Sequence, residues 1–240
     1  MESMVLNEFT VILDDQEMAA RFRVKPGSKA ERQLTRLLGE ARILAQPKAT
    51  FKIMSPEVLD ERTVRFGSIE FKSPLMAKQL DGQDLALPYM ATCGRELAQW
   101  TSELTGLEQY MADEIMLAAL RQAVGQLEDY LRERFGWPEV SAMNPGSLPK
   151  EWPITEQKAL FSLMDDLPDR IGVNLLPSFL MNPGKSVSGI FFQTSEKFHN
   201  CQLCTKAACP SRKAPYQGES IGPSAPDYHR GFYEQFDFRH

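Results

Sequence analysis

The sequence predicts an α+β protein, and three observations carry that expectation. Ser28-Lys29-Ala30-Glu31 is a capping box, and behind it Leu34, Leu37, Leu38, Ala41 and Leu44 recur at helical spacing. Short strand-like pieces separated by turn residues follow between residues 50 and 71. A longer apolar stripe then runs through 95–135. Composition sets the limits: 42% hydrophobic and 25% charged residues in a 240-residue chain exclude wholesale disorder. With 27 Lys and Arg against 32 Asp and Glu the net charge is −5, which argues against a protein that tracks a nucleic-acid backbone.

Each element follows from local chemistry. The capped segment predicts a helix over 28–45, stopped near Pro47. Thr50–Met54, Thr63–Phe66 and Ser68–Phe71 read as strands, the last two joined at Gly67 as a hairpin. Pro74–Leu80 reads as a short helix ending at Asp81-Gly82. Residues 84–92 read as a buried strand that Pro88 partly demotes. Gly106 divides the long stripe into two helices, and Gly136-Trp137-Pro138 stops the second. Its apolar residues, among them Met111, Ile115, Leu120, Val124 and Leu127, are expected to be core. Beyond it Met143-Asn144-Pro145-Gly146 recurs as Met181-Asn182-Pro183-Gly184, two tight turns able to bring backbone amides close to a ligand. Between them a helix opens at Pro153 and Thr155. Gly172–Leu176 and Ser186–Phe192 read as strands.

No apolar run approaches the roughly 20 residues a bilayer span needs, and no cationic-then-apolar leader opens the chain, so a soluble, cytoplasmic protein without a membrane or nucleic-acid partner is expected. The chain divides into a body, 1–198, and a tail, 199–240, that holds three of the four cysteines, all three histidines and an aromatic run, Phe232, Tyr233, Phe236 and Phe238.

Cys201-x2-Cys204-x4-Cys209 puts three thiolates within reach of one centre, and thiolate is the soft ligand of zinc and of iron–sulfur clusters. A disulfide fits poorly in a cytosolic chain with core enough to fold unaided, and a bare redox dithiol lacks a thioredoxin-like βαβ setting. A metal centre is therefore expected, with Cys93 as the leading fourth ligand and His199 and His229 as alternatives. Four cysteines favour an iron–sulfur cluster, three with a histidine favour structural zinc. Lys206, Arg212 and Lys213 flank the site, where they would stabilise thiolate charge or guide an acidic electron donor.

Two blocks carry a family resemblance. In the first, Pro145-Gly146 is followed by Pro153 and Thr155-Glu156-Gln157. The second runs Gly172-Val173, Ser178-Phe179-Leu180-Met181, Pro183-Gly184, Ser186-Val187-Ser188-Gly189. Together they resemble the activation domain of cobalamin-dependent methionine synthase, and Ala91-Thr92-Cys93-Gly94 resembles a segment of its short stand-alone relatives. The likeness is weak before about residue 60 and absent after 200, so the cysteine cluster is an addition to the family pattern. It implies a curved, mostly antiparallel sheet with packed helices. It implies also a corrinoid carried by a partner, either methionine synthase or another corrinoid-binding protein, an electron donor such as flavodoxin or ferredoxin, and S-adenosylmethionine as methyl donor. The binding residues it implies are Asn144, Gly146, Ser147, Gly184, Ser186, Ser188 and Phe198. Two departures weigh against the family's way of holding S-adenosylmethionine. Ala142, Met143 and Asn144 stand where an arginine usually reads its carboxylate, and Ser147 replaces an aromatic.

The function expected is reductive activation of a corrinoid protein, with an iron–sulfur centre relaying the electron to cob(II)alamin. The alternatives are a non-catalytic, zinc-stabilised module that docks a corrinoid domain, and direct methyl transfer from S-adenosylmethionine. No nucleotide-binding glycine motif, nucleophile elbow or zinc-protease signature is present.

Overall fold

The computed structural model describes residues 2–206, 208–209 and 212–217. Half of the expected capping box forms: Ser28 Oγ accepts the Glu31 N–H at 3.1 Å, whereas the Glu31 carboxylate accepts the Gly27 N–H at 2.6 Å and Ser28 N–H donates to Lys25 O at 3.1 Å. In chain order the elements are β1 (Ser3–Leu6), α1 (Asp15–Arg21), α2 (Lys29–Leu44), β2 (Lys48–Lys52), β3 (Glu57–Asp60), β4 (Thr63–Phe66) and β5 (Ile69–Lys72). Then come α3 (Pro74–Leu80), β6 (Ala86–Thr92), α4 (Arg95–Ser102), α5 (Gly106–Phe135), β7 (Glu139–Met143), α6 (Gln157–Leu163), α7 (Leu167–Arg170), β8 (Asn174–Leu175), β9 (Met181–Asn182) and β10 (Ser186–Thr194).

The main sheet has the order β1-β2-β6-β10-β7, and every pairing in it is antiparallel. Two cores cover its two faces. On one, Leu34, Leu37, Leu38 and Ala41 of α2 and Met111, Ile115, Ala119, Leu127 and Leu131 of α5 pack on Phe51, Leu87, Ala91 and Phe191. On the other, Phe66, Phe71 and Met76 pack with Trp152 and Leu160 on Met90, Ile190 and Phe192. Alternate residues of β6 thus enter different cores, so its seven residues are all buried and its sequence lacks the polar alternation of a one-sided strand.

Pro88 does not push β6 to an edge; this corrects the expectation. The ladder to β2 ends at the Phe51–Tyr89 pair, at the residue following Pro88, and resumes only as an isolated Met54–Ala86 bridge on the other side of it. The missing N–H falls in that gap. Gly106 opens α5 and Gly136 closes it in the left-handed conformation at φ 63°, as the stop signal predicts. The strand expected over 172–176 shrinks to the two residues of β8, because its partner β9 is itself only two residues long. β1, β3 and β7 carry no prior signal in sequence: each has four or five residues and is defined by its partner. No helix among the described residues is long and apolar enough to cross a membrane. The aromatic run, His229 and His240 lie outside the described residues.

Residue 189 is where the sheet tolerates least. A Cβ there would lie 2.2 Å from Met143 O, 2.7 Å from Asn144 Nδ2 and 3.0 Å from the Tyr89 ring. Two of these three neighbours are backbone or hydrogen-bonded groups that cannot swing aside. Gly189→Ala is expected to destabilise the fold by about 3 kcal/mol, the upper range for overpacking, read as a lower urea midpoint. An unchanged midpoint would contradict this packing.

Candidate functional site

The first Pro-Gly turn follows directly from β7, and its side chains are tied to three elements. Asn144 Nδ2 donates to Tyr89 Oη at 2.9 Å and to Ser188 O at 2.8 Å, while its Oδ1 accepts from Asn200 Nδ2 at 3.2 Å. Gly146, at φ 81°, donates its N–H to Trp152 O at 2.8 Å, and Ser147 N–H donates to Asn144 O at 3.2 Å. From β10, Ser186 Oγ donates to Thr92 Oγ1 at 2.9 Å and Ser188 Oγ to Gln157 Oε1 at 3.0 Å. Tyr89 stacks on Phe191 with centroids 3.7 Å apart, and burial pushes its phenol well above its usual range.

Two cavities flank this turn and share Asn144, Ser147 and Val187. The smaller, about 130 Å³, is lined also by Ser186, Ser188, Phe179 and Met181. The larger, about 380 Å³, lies between α5 and the cysteine segment. Only the larger reaches the size range of small-molecule sites. Of the residues expected to bind a ligand, the structure gathers Asn144, Ser147, Ser186 and Ser188 around the smaller cavity and places Phe198 on the larger. Gly146 and Gly184 shape turns but line neither.

Cys201, Cys204, Cys209 and His199 all line the larger cavity. The segment that carries them is docked on β7 and the turn: Phe198 N–H donates to Ser141 Oγ at 2.8 Å, and Asn200 meets Asn144 as above. Of these two contacts, Asn200–Asn144 joins the tail, 199–240, to the body, 1–198. Among the described residues no group of three or more Cys, His, Asp or Glu side chains is gathered closely enough to hold a metal ion.

The expected fourth ligand is not with the trio. Cys93 is fully buried and does not line the cavity. Tyr89 of β6 lines the larger cavity; Cys93 points to the same α5 side but lies four residues further along, past the strand's end, and is packed in the core there. The Cys93 N–H donates to Lys185 O at 3.0 Å and its Sγ lies 3.5 Å from Gly94 O. Burial pushes its thiol up to about 12, against the pull of the nearby Lys185 ammonium.

The larger cavity is electropositive. Arg121, Lys197, Lys206, Arg212 and Lys213 line it, with Glu128 as the carboxylate among them, ion-paired to Lys197. His199 is held below its usual pKa, first by burial and then by Lys213 and Lys197. Arg121 is lowered too, chiefly by burial. Such a cavity offsets the negative charge of thiolates. Arg212, expected to stabilise thiolate charge or guide a donor, directs its guanidinium at backbone carbonyls of its own segment.

The α5 wall was not expected. Leu117, Leu120 and Val124 continue the apolar stripe read as core, yet they form the cavity's apolar side. The signal in sequence is Arg121, Gly125 and Glu128, which interrupt that stripe on one helical face.

The fold is thus α+β, an antiparallel sheet with helices packed on both faces. The MetH reactivation domain bound to AdoHcy, a solved structure, shares it: TM-score 0.53 and 13% sequence identity, over 83% of this chain and 80% of that one. At this identity the likeness is one of fold. No protein-family model matches the chain, and no curated protein matches it.

Iodoacetamide applied to the native protein at neutral pH is expected to alkylate Cys201 and Cys209, both partly exposed, and to spare Cys93. Peptide mass mapping reads the result; labelling of Cys93 as fast as the other two would contradict its placement.

Proposed function

We propose that this protein reactivates a corrinoid protein: it docks on a partner's cobalamin domain, binds S-adenosylmethionine beside the first Pro-Gly turn, and passes an electron through a centre held by the tail cysteines. The observation that carries the reading is the shared wall. The turn that corresponds in sequence to the activation-domain pattern, through Asn144 and Ser147, borders the same cavity as Cys201, Cys204 and Cys209. The fold likeness to a reactivation domain bound to AdoHcy supports it.

The reaction in view reduces the partner's cob(II)alamin by one electron to cob(I)alamin. Methyl transfer from S-adenosylmethionine draws this forward, leaving methylcobalamin and S-adenosylhomocysteine. This chain's residues have separable parts in it. Asn144, Ser147, Ser186 and Ser188 supply the polar groups at the turn, and Leu117, Leu120 and Val124 the apolar wall. Lys197 and Lys213 lower the cost of concentrating thiolate charge. The cysteine segment must draw inward to bind a metal, because the three sulfurs are not gathered at bonding distance. With Cys93 in the core, the fourth position falls to His199, to His229 or to a ligand from outside the chain.

A second reading, a zinc-stabilised docking module, is favoured by His199 lining the same cavity as the three cysteines, a ligand set suited to structural zinc. The two separate cleanly. Anaerobic protein given iron and sulfide is expected to show broad visible absorption that bleaches on reduction. It is also expected to speed conversion of a cob(II)alamin-loaded partner to methylcobalamin when reductant and S-adenosylmethionine are supplied. Stoichiometric zinc with no redox response would replace the first reading by the second. Calorimetry with S-adenosylmethionine is expected to give saturable heat; none at ~1 mM ligand would remove that cosubstrate.

A further inference from the structure

Gly125 lies in the interior of the 30-residue helix α5. A glycine there weakens a helix relative to alanine, so it calls for a reason. Crowding by a neighbouring element is the usual one, but a Cβ at residue 125 would meet nothing within 4 Å. What residue 125 borders is the larger cavity, about 380 Å³ in volume. Leu117, Arg121, Gly125 and Glu128 recur at one-turn spacing and all line it, with Leu120 and Val124 beside them. A long side chain at residue 125 would project into that space.

The charge of the cavity is as uneven as its shape. Arg121, Lys197, Lys206, Arg212 and Lys213 line it against a single carboxylate, Glu128, among the described residues. Lys197 is ion-paired with Glu128 and Arg212 donates to carbonyls of its own segment, which leaves the positive excess in place. An apolar helix wall facing a cationic segment complements a molecule with an apolar body and an anionic head.

We propose that the larger cavity binds an amphipathic organic anion. Its aromatic or aliphatic body lies against Leu117, Leu120 and Val124, its phosphate or carboxylate head faces Lys197 and Lys213, and Gly125 keeps the space for it. Such a ligand asks nothing of the three sulfurs, which stay where they are. S-adenosylmethionine, net positive through its sulfonium and ammonium groups, is not what this charge selects, so the cavity adds a second, anionic ligand to the reading above.

The experiment titrates the full chain with anilinonaphthalene sulfonate, which fluoresces in apolar surroundings, and with phenylnaphthylamine, which has the same rings and no charge. The wild type, Gly125→Ala, Gly125→Leu and Lys197→Gln/Lys213→Gln are compared, with melting curves to verify the fold. The wild type is expected to bind one equivalent of the sulfonate, more tightly than the neutral dye. Gly125→Ala is expected to melt higher and still bind, because a methyl group takes little of the space. Gly125→Leu is expected to melt no lower than the wild type and to lose the dye. The lysine pair is expected to bind the sulfonate ~5–10-fold more weakly and the neutral dye unchanged. Equal affinity of the wild type for both dyes would overturn the proposal, and so would wild-type binding by Gly125→Leu. If that variant fails to fold, the lysine pair decides, and undiminished sulfonate binding by it would overturn the proposal. Adenosine monophosphate and decanoate then compete with the bound dye: displacement by the first assigns a phosphate head, by the second a carboxylate. Displacement by neither, or by S-adenosylmethionine, would overturn an anion site of this kind.

Discussion

The missing side chain at residue 189 is the constraint on which the site depends. It lets β7 and the turn after it close on β10 so tightly that Asn144 reaches Tyr89 and Ser188 at the same time. Asn144 then has one oxygen left, and Asn200 of the cysteine segment takes it. A sheet contact, a Pro-Gly turn and a cysteine segment are joined through one amide. Its donors and acceptor are all used, so its orientation is determined by its neighbours.

Around that junction the chain builds a cavity of mixed character. Its apolar side comes from α5 and its cationic side from the segment after β10. The fold places them together because β10 is hydrogen-bonded between β6 and β7, so the chain leaving it emerges beside the end of α5's outer face. The Lys197–Glu128 ion pair marks that meeting. Cationic groups near thiols favour the thiolate, the form that binds soft metals and reacts. Cys93 shows the opposite setting: the same side chain, sealed in an apolar core, is pushed away from ionisation.

Much of this was legible in sequence, and the reasons differ by element. α2 and α5 could be read because capping and stop residues act within a few positions of the helix they bound. β7 could not, since its five residues gain their conformation from pairing with β10. The grouping of Cys201, Cys204 and Cys209 around one cavity follows from their spacing, which limits how far apart they can lie. Cys93 lies apart from that cavity because it sits past the end of β6, four residues from Tyr89, the strand residue that reaches it, and which part of a strand meets a site is decided by tertiary packing. The work of Arg212 was illegible, because it depends on where backbone carbonyls point.

The central claim is that the Pro-Gly turn and the cysteine segment form one site. Its most direct test measures the alkylation rates of Cys201 and Cys209 with and without saturating S-adenosylhomocysteine, binding being verified in parallel by calorimetry. A ligand at the turn is predicted to slow both reactions, through the cavity wall they share and the Asn144–Asn200 contact. Bound ligand with unchanged rates at both sulfurs would contradict the account and leave two independent features on one fold.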